Sequence, residues 1–298
     1  MNKERILRKF EVSEKCELLS FLLVSLKDCS RTTVKSYLAH RNVLINNTIT
    51  TKFNAPLRPG DEVVITRGRG AEDFKNPMMR IVYEDEHIIV IDKKNGLLSM
   101  ATNKERIKTA YSFLSTHVKK SNPENRIFIV HRLDRETSGL MLFARSEKVQ
   151  ELFQRNWTDA VLERKYVAVV EGKMPKDEGV IEAKLKQSTA LKMYVPFEGE
   201  EGENAITHYK VLKVKNNHSL VELELETGKK NQIRAHLEYV HAPISGDKKY
   251  GAKLSPAGRV CLHASKLFIK HPISGEELNF STKIPANFEA VVKGTSKN

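Results

Sequence analysis

The stretch His131-Arg132-Leu133-Asp134-Arg135-Glu136-Thr137-Ser138-Gly139 decides how this chain is read. Seven of its nine residues are polar, yet apolar runs flank it: Ile127 to Val130 before, Leu140 to Ala144 after. Each run has the length and composition of a strand. A polar loop held at both ends by a sheet is a good place for a functional site. Within it Asp134 lies between Arg132 and Arg135, and nearby positive charge keeps a carboxylate ionised. On these grounds alone, a solvated strand connection carrying surface charges remains an open alternative.

The chain around the loop is rich in strands. Ile81 to Tyr83 and Ile88 to Ile91 predict a hairpin across a polar turn. Residues 109–119 read as a helix, and Val149, Leu152, Phe153 and Trp157 share one helical face. Tyr166 to Glu171 reads as a strand. Leu220 to Glu226 alternates as a half-buried strand should, and residues 231–240 then look helical. Leu267 to Lys270 and Glu277 to Phe280 predict a closing hairpin. Many strands with few helices favour an α+β fold around a largely antiparallel sheet.

The first seventy residues form a different pattern. Leu18, Leu19, Leu22, Leu23 and Leu26 recur at helical spacing. Ser30 is a candidate N-cap for a second helix bearing Val34, Tyr37 and Leu38. Val43-Leu44-Ile45, Asn46-Asn47 and Thr48-Ile49-Thr50 predict strand, tight turn and strand. Pro59-Gly60-Asp61 is a turn into a strand over 62–66. The polar run Arg67 to Asp73 reads as a linker, so the expected division is 12–70, a linker at 71–79, and a second domain at 80–290.

Composition narrows the function classes. The 298 residues carry a net charge of +13 with a pI near 9.5. Such a field attracts polyanions. Residues 1–70 hold 13 Lys/Arg against 7 Asp/Glu, a net +6, so nearly half the excess lies on under a quarter of the chain. No run of eighteen apolar residues occurs and the N-terminus is charged, which predicts neither a membrane span nor a secretory signal. Cys16, Cys29 and Cys261 are scattered, which argues against a disulfide framework or zinc knuckle and for reduced thiols in the cytoplasm. His131, His236, His263 and His271 match no metal-ligand spacing and read as structural or as facing a bound polyanion.

The run HRLDRETSGL resembles the signature of the ribosomal-large-subunit family A of RNA pseudouridine synthases. Arg164-Lys165-Tyr166-Val167-Ala168 resembles the family's tyrosine-bearing strand, and Thr227 to His236 its arginine segment. Residues 244–251, Leu262-His263-Ala264 and His271-Pro272 fit its C-terminal pattern. The resemblance spans about residues 80 to 285 in the family's order. It implies a catalytic domain with a central, largely antiparallel mixed sheet, catalytic roles for Asp134, Tyr166 and Arg234, and no metal or other cofactor. Asp134 would attack the sugar or help remove a sugar proton. Arg234 would hold Asp134 charged, and Tyr166 would stack on the uracil and remove the ring proton. Arg132 and Arg135 would meet RNA, with Arg132 occupying the space left by the flipped base. Three positions depart from the family: Lys94 replaces its proline, Lys229 its arginine and Asn231 its histidine.

Residues 12–70 resemble the S-four-like RNA-binding domain, a small α/β module named after a small-subunit ribosomal protein. Asn42 stands where that domain commonly has glycine. The resemblance implies RNA contacts from Arg31, Lys35 and Arg41. The expected partner is structured RNA, ribosomal first and transfer RNA second, bound by a monomer. The alternatives are an RNA-binding or ribosome-associated factor that kept the fold without the chemistry, and a metal-dependent nuclease. The nuclease would need clustered carboxylates, and Asp134 has only Glu136 close by.

Overall fold

The computed structural model describes residues 6–29, 31–39, 42–66, 74–103, 105–120 and 122–293. Ser30, Arg41 and the linker residues 67–73 lie outside these.

The N-terminal unit contains strands β1 (Ile6–Glu11) and β2 (Cys16–Glu17), helices α1 (Leu18–Ser25) and α2 (Arg31–Ala39), and strands β3 (Val43–Ile45), β4 (Thr48–Ile49), β5 (Pro56–Leu57) and β6 (Glu62–Thr66). Four strands form one sheet in the order β1-β6-β3-β4. The leucine stripe explains the helix pair: Leu18, Leu22 and Leu26 are buried against Val34 and Leu38 of α2, with Val43, Val63 and Ile65 from the sheet. Asn46 and Asn47 carry φ of 50° and 66°, the paired left-handed turn that asparagine tolerates best. Strand β1 was not expected from the sequence, and the division at residue 12 leaves it out. It pairs antiparallel with β6, so this sheet starts at Ile6.

The remainder follows as β7 (Met79–Glu84), β8 (Ile88–Lys93), α3 (Ala110–Lys119), β9 (Phe128–Ile129), β10 (Ser138–Ala144), α4 (Glu147–Arg155), α5 (Trp157–Ala160), β11 (Val161–Glu171), β12 (Glu178–Gln187), β13 (Met193–Tyr194), β14 (Glu203–Lys215), β15 (His218–Leu225), α6 (Gln232–Tyr239), β16 (Leu262–Lys270), β17 (Glu277–Ser281) and α7 (Ala286–Lys293). Eleven strands form one sheet. Its path is β13-β12-β14-β15-β11-β16-β10-β8-β7, with β17 beside β16 and β9 beside β10. The pair β10–β16 is parallel, and every other strand pair among the described residues is antiparallel. The expected α+β class and largely antiparallel mixed sheet are what the structure has.

Both faces of the central strands are covered, which is why β8 and β10 are apolar at consecutive positions. Ile89, Ile91, Met141 and Phe143 face one core with α3 and α7. Ile88, Val90, Leu140 and Leu142 face the other with α4. Burying one such side chain is worth about 2 kcal/mol. The helix expected through Trp157 breaks at Asn156 into α4 and α5.

The functional loop is shorter than expected. Ser138 and Gly139 belong to β10, where they pair with His263 and Ala264 of β16. Gly139 has φ +112°, and a Cβ there would lie 2.1 Å from the Ala264 carbonyl oxygen. Only glycine lets the strands approach so closely.

Candidate active site

Loop 130–137 hangs from β9 and β10 and is stitched to the segment after β8. The Leu133 N–H donates to Ser99 Oγ at 3.2 Å, and Ser99 Oγ donates back to the Leu133 carbonyl at 2.6 Å. The Gly96 N–H donates to the Arg135 carbonyl at 2.7 Å. Beneath the loop lies Lys93, fully buried. Its ammonium donates to the carbonyls of Leu97 at 2.8 Å and Asp134 at 3.2 Å. Burial pushes Lys93 down to about 7, against the pull of Asp134. At Lys94 the N–H donates to the Met78 carbonyl at 2.8 Å, a bond no proline could make.

Asp134, Tyr166 and Arg234 come together. They line one cleft of roughly 200 Å³ with Arg132, Gly228 and Asn231. A wider space of about 560 Å³ adjoins it and shares Arg132, Asp134, Asn231 and Arg234, with Lys248 and Lys249 on its rim. Asp134 arrives from its loop, Tyr166 from the middle of β11, and Arg234 from the first turn of α6. The Arg234 Nη1 lies 3.3 Å from Asp134 Oδ2 and 3.6 Å from Glu136 Oε2. Arg234 is not the surface charge its helix could have made it, because it is buried.

Its principal partner was not foreseen. Asp247, also buried, accepts from Arg234 Nε at 2.6 Å and Nη2 at 2.8 Å, a bidentate pair. The guanidinium stacks over the buried Tyr250 ring at 4.8 Å. Burial opposes the Arg234 charge, but Asp247, then Asp134 and Glu136, more than reverse this and hold it above its ordinary value. For Asp134 burial is the larger effect and raises its carboxyl, with Arg234 pulling it back down. Burial likewise raises the Tyr166 phenol.

Asn231, which stands where the family has histidine, faces Asp134. With its amide turned to satisfy both neighbours, Nδ2 lies 2.9 Å from Asp134 Oδ1 and 2.6 Å from Oδ2. Lys229 reaches Glu203 at 2.5 Å at the cleft's lip. Arg132 and Arg135 are exposed beside the cleft, and Arg135 Nε donates to the Gly96 carbonyl at 3.3 Å. Arg31 and Lys35 lie exposed on one face of α2, while Arg41 is outside the described residues.

The histidines are structural. His131 Nε2 accepts from the Leu142 N–H at 3.0 Å, and burial, then Arg164, push it to about 3. His263 bridges Ser138 at 2.8 Å and Thr282 at 2.7 Å. Of the residues missed, Asp247 had a short-range sign, an acid within a Ser-Gly-Asp turn. Lys93, Asn231 and Tyr250 depend on tertiary burial that spacing does not reveal.

A carboxylate, a buried cation and an aromatic ring around a small cleft, with an arginine at its lip, can receive one unstacked base. The model of the RNA pseudouridylate synthase family matches residues 87–239, and the chain belongs to that family. It is an isomerase that converts uridine to pseudouridine in RNA, and the reading as a fold without chemistry is set aside. The chain is 31% identical over 285 residues to the uncharacterized RNA pseudouridine synthase YlyB of Bacillus subtilis, covering 93% of each chain. It is 34% identical over 284 residues to ribosomal large subunit pseudouridine synthase D of Neisseria meningitidis serogroup B, covering 87% of this chain and 73% of that one. Among solved structures it matches human RNA pseudouridylate synthase domain containing 4, with a TM-score of 0.58 and 27% identity over 72% of this chain and 92% of that one. No helix among the described residues is long and apolar enough to cross a membrane.

Proposed function

We propose that this chain is a family A type synthase that modifies ribosomal RNA, with transfer RNA as the second candidate substrate, and that Asp134 is its nucleophile. An Asp134 oxygen attacks the sugar C1′ as the C1′–N1 bond breaks and uracil leaves with the bonding pair. The uracil turns, its C5 displaces the carboxylate from C1′, the C5 proton is removed, and N1 takes up a proton in its place. Arg234 keeps Asp134 anionic, Tyr166 stacks on the uracil and takes the ring proton, and Arg132 fills the gap left in the stack. No atom is gained or lost, so the chemistry calls for neither metal nor other cofactor.

The observation that carries this is the convergence of Asp134, Tyr166 and Arg234 on one cleft from a loop, a strand and a helix far apart in sequence. Ribosomal RNA is favoured by the relative named for the large subunit. The exposed Arg31 and Lys35 support an S-four-like module, expected over 12–70 and here extended back to include β1, that grips structured RNA and is joined by a linker ending before β7 to a catalytic domain that runs through α7. The protein acts as a cytoplasmic monomer in this reading.

The decisive experiment pairs Asp134→Asn with the wild type. The variant binds RNA but forms no pseudouridine, and pseudouridine formed by purified variant would refute the role. Mapping pseudouridines across total RNA with and without the protein identifies the substrate. A site found only in transfer RNA would overturn the ribosomal assignment.

A further inference from the structure

Asn231 stands one residue before α6 with left-handed backbone angles, φ 50° and ψ 23°. An asparagine at a helix start usually turns its side chain onto an N–H of the first turn. This one makes no such bond. The left-handed backbone carries the amide away from the helix and onto the carboxylate of Asp134.

Tyr250 and Asp134 together set the direction of that amide. The Met193 N–H donates to the Tyr250 hydroxyl oxygen at 3.2 Å. The hydroxyl proton is then available to Asn231 Oδ1, 3.1 Å away. The amide nitrogen is left facing Asp134, at 2.9 Å from Oδ1 and 2.6 Å from Oδ2. The reverse orientation would press an amide oxygen against two carboxylate oxygens, with no proton between them.

Arg234 cannot fix the carboxylate alone. Its short bonds go to Asp247, and it reaches only Oδ2 of Asp134, at 3.3 Å. One contact to one oxygen leaves the carboxylate free to rotate. Asn231 spans both oxygens and removes that freedom. It does so without adding a second positive charge, so it favours the anion by hydrogen bonding alone. It also has no proton to exchange near neutral pH.

We propose that Asn231 is a positioning residue for Asp134, a neutral donor aimed by Tyr250 that locks the rotation of the carboxylate and keeps it anionic. This rests on the reading of Asp134 as the nucleophile.

The test measures single-turnover rate against pH, and RNA affinity, for four variants. Asn231→Gly removes the amide and keeps the left-handed backbone at no steric cost. Asn231→Asp keeps the shape but replaces the donor by an acceptor. Tyr250→Phe removes the hydroxyl that aims the amide, and Asp134→Asn is the reference for lost chemistry. Asn231→Gly should lose about ten- to a hundredfold in rate. Its acidic limb should move up by about one pH unit, because the anion has lost a donor, with affinity within about twofold of wild type. Asn231→Asp should move the limb further, since two adjacent carboxylates share a proton. Tyr250→Phe should move it the same way by less. A purely structural role would lower the folded fraction and leave the limb in place. Wild-type rate and an unmoved limb in folded Asn231→Gly would overturn the proposal. If that variant does not fold, the same result in Asn231→Asp overturns it. Activity in Asp134→Asn would instead sink the underlying reading of Asp134.

Discussion

Arg234 is bound more closely to Asp247 than to Asp134: 2.6 and 2.8 Å in a bidentate pair, against a single 3.3 Å contact. Asp247 therefore holds the guanidinium in place, and Asp134 meets a cation already oriented. Asp247→Asn should destabilise the protein by about 3–5 kcal/mol, because a buried charge loses its partner. Activity should fall more than about a hundredfold, although Asp247 need not touch RNA. Urea unfolding with single-turnover assays on the folded fraction checks both. Wild-type activity in that fraction would remove Asp247 from the site.

Lys93 gives a pH dependence of definite sign. Its folded value, about 7, lies below the unfolded value of about 10.4. Between these the unfolded state binds more protons, so the lysine's contribution to stability grows as pH rises from about 7 toward 10. The growth is at most about 1.4 kcal/mol per pH unit. In Lys93→Met this component disappears. Urea midpoints for both proteins at three pH values in that window test it. A constant gap between the two curves would contradict the assignment.

Gly139 and Gly60 should respond very differently to alanine. Both have positive φ, +112° and +87°, but only at Gly139 does the added Cβ meet backbone, at 2.1 and 2.6 Å from Ala264 atoms. At Gly60 nothing lies within 4 Å. Gly60→Ala should cost about 1–2 kcal/mol. Gly139→Ala should cost more than about 4 kcal/mol and leave little folded protein. Thermal melting of the two separates them.

On α2, Arg31 and Lys35 lie exposed one turn apart. The double change Arg31→Glu with Lys35→Glu should weaken binding of structured RNA about tenfold or more, and lower the slope of log affinity against log salt by about two. An unchanged slope would mean that this face does not meet phosphate.

What could be read from the sequence was what short range encodes. The apolar runs around Asp134, the leucine stripe of α1 and the asparagine turn at 46–47 each carry their own periodicity or backbone preference. No element was expected between Gly172 and Asn217, yet β12 and β14 run there. Their buried residues, Ile181, Leu185, Ala205 and Tyr209, are interleaved with lysine, glutamate and threonine, so no unbroken apolar run of the kind that marks β8 and β10 stands out. Asp134, Tyr166 and Arg234 were legible through motifs. Tyr250 and Asn231 were not, because each acts through burial or a left-handed backbone fixed by tertiary packing, and the Ser-Gly-Asp turn marked Asp247 without showing that its partner would be Arg234. Asn231 was noticed as a departure, without any sign that its side chain would meet Asp134.

The parallel pairing of β10 with β16 joins the two antiparallel parts of the large sheet. Asp134 belongs to the part built from β7 to β10, whereas Tyr166 and Arg234 belong to the part that runs from β13 to β16. The seam joins Ser138 to His263 and Gly139 to Ala264, residues more than a hundred positions apart. On the ribosome, therefore, all three site residues leave the exit tunnel well before the strand that brings them together. A nascent chain halted before β16 should carry Asp134, Tyr166 and Arg234 and have no working cleft, so that catalytic competence switches on late in synthesis, as the two parts of the sheet close.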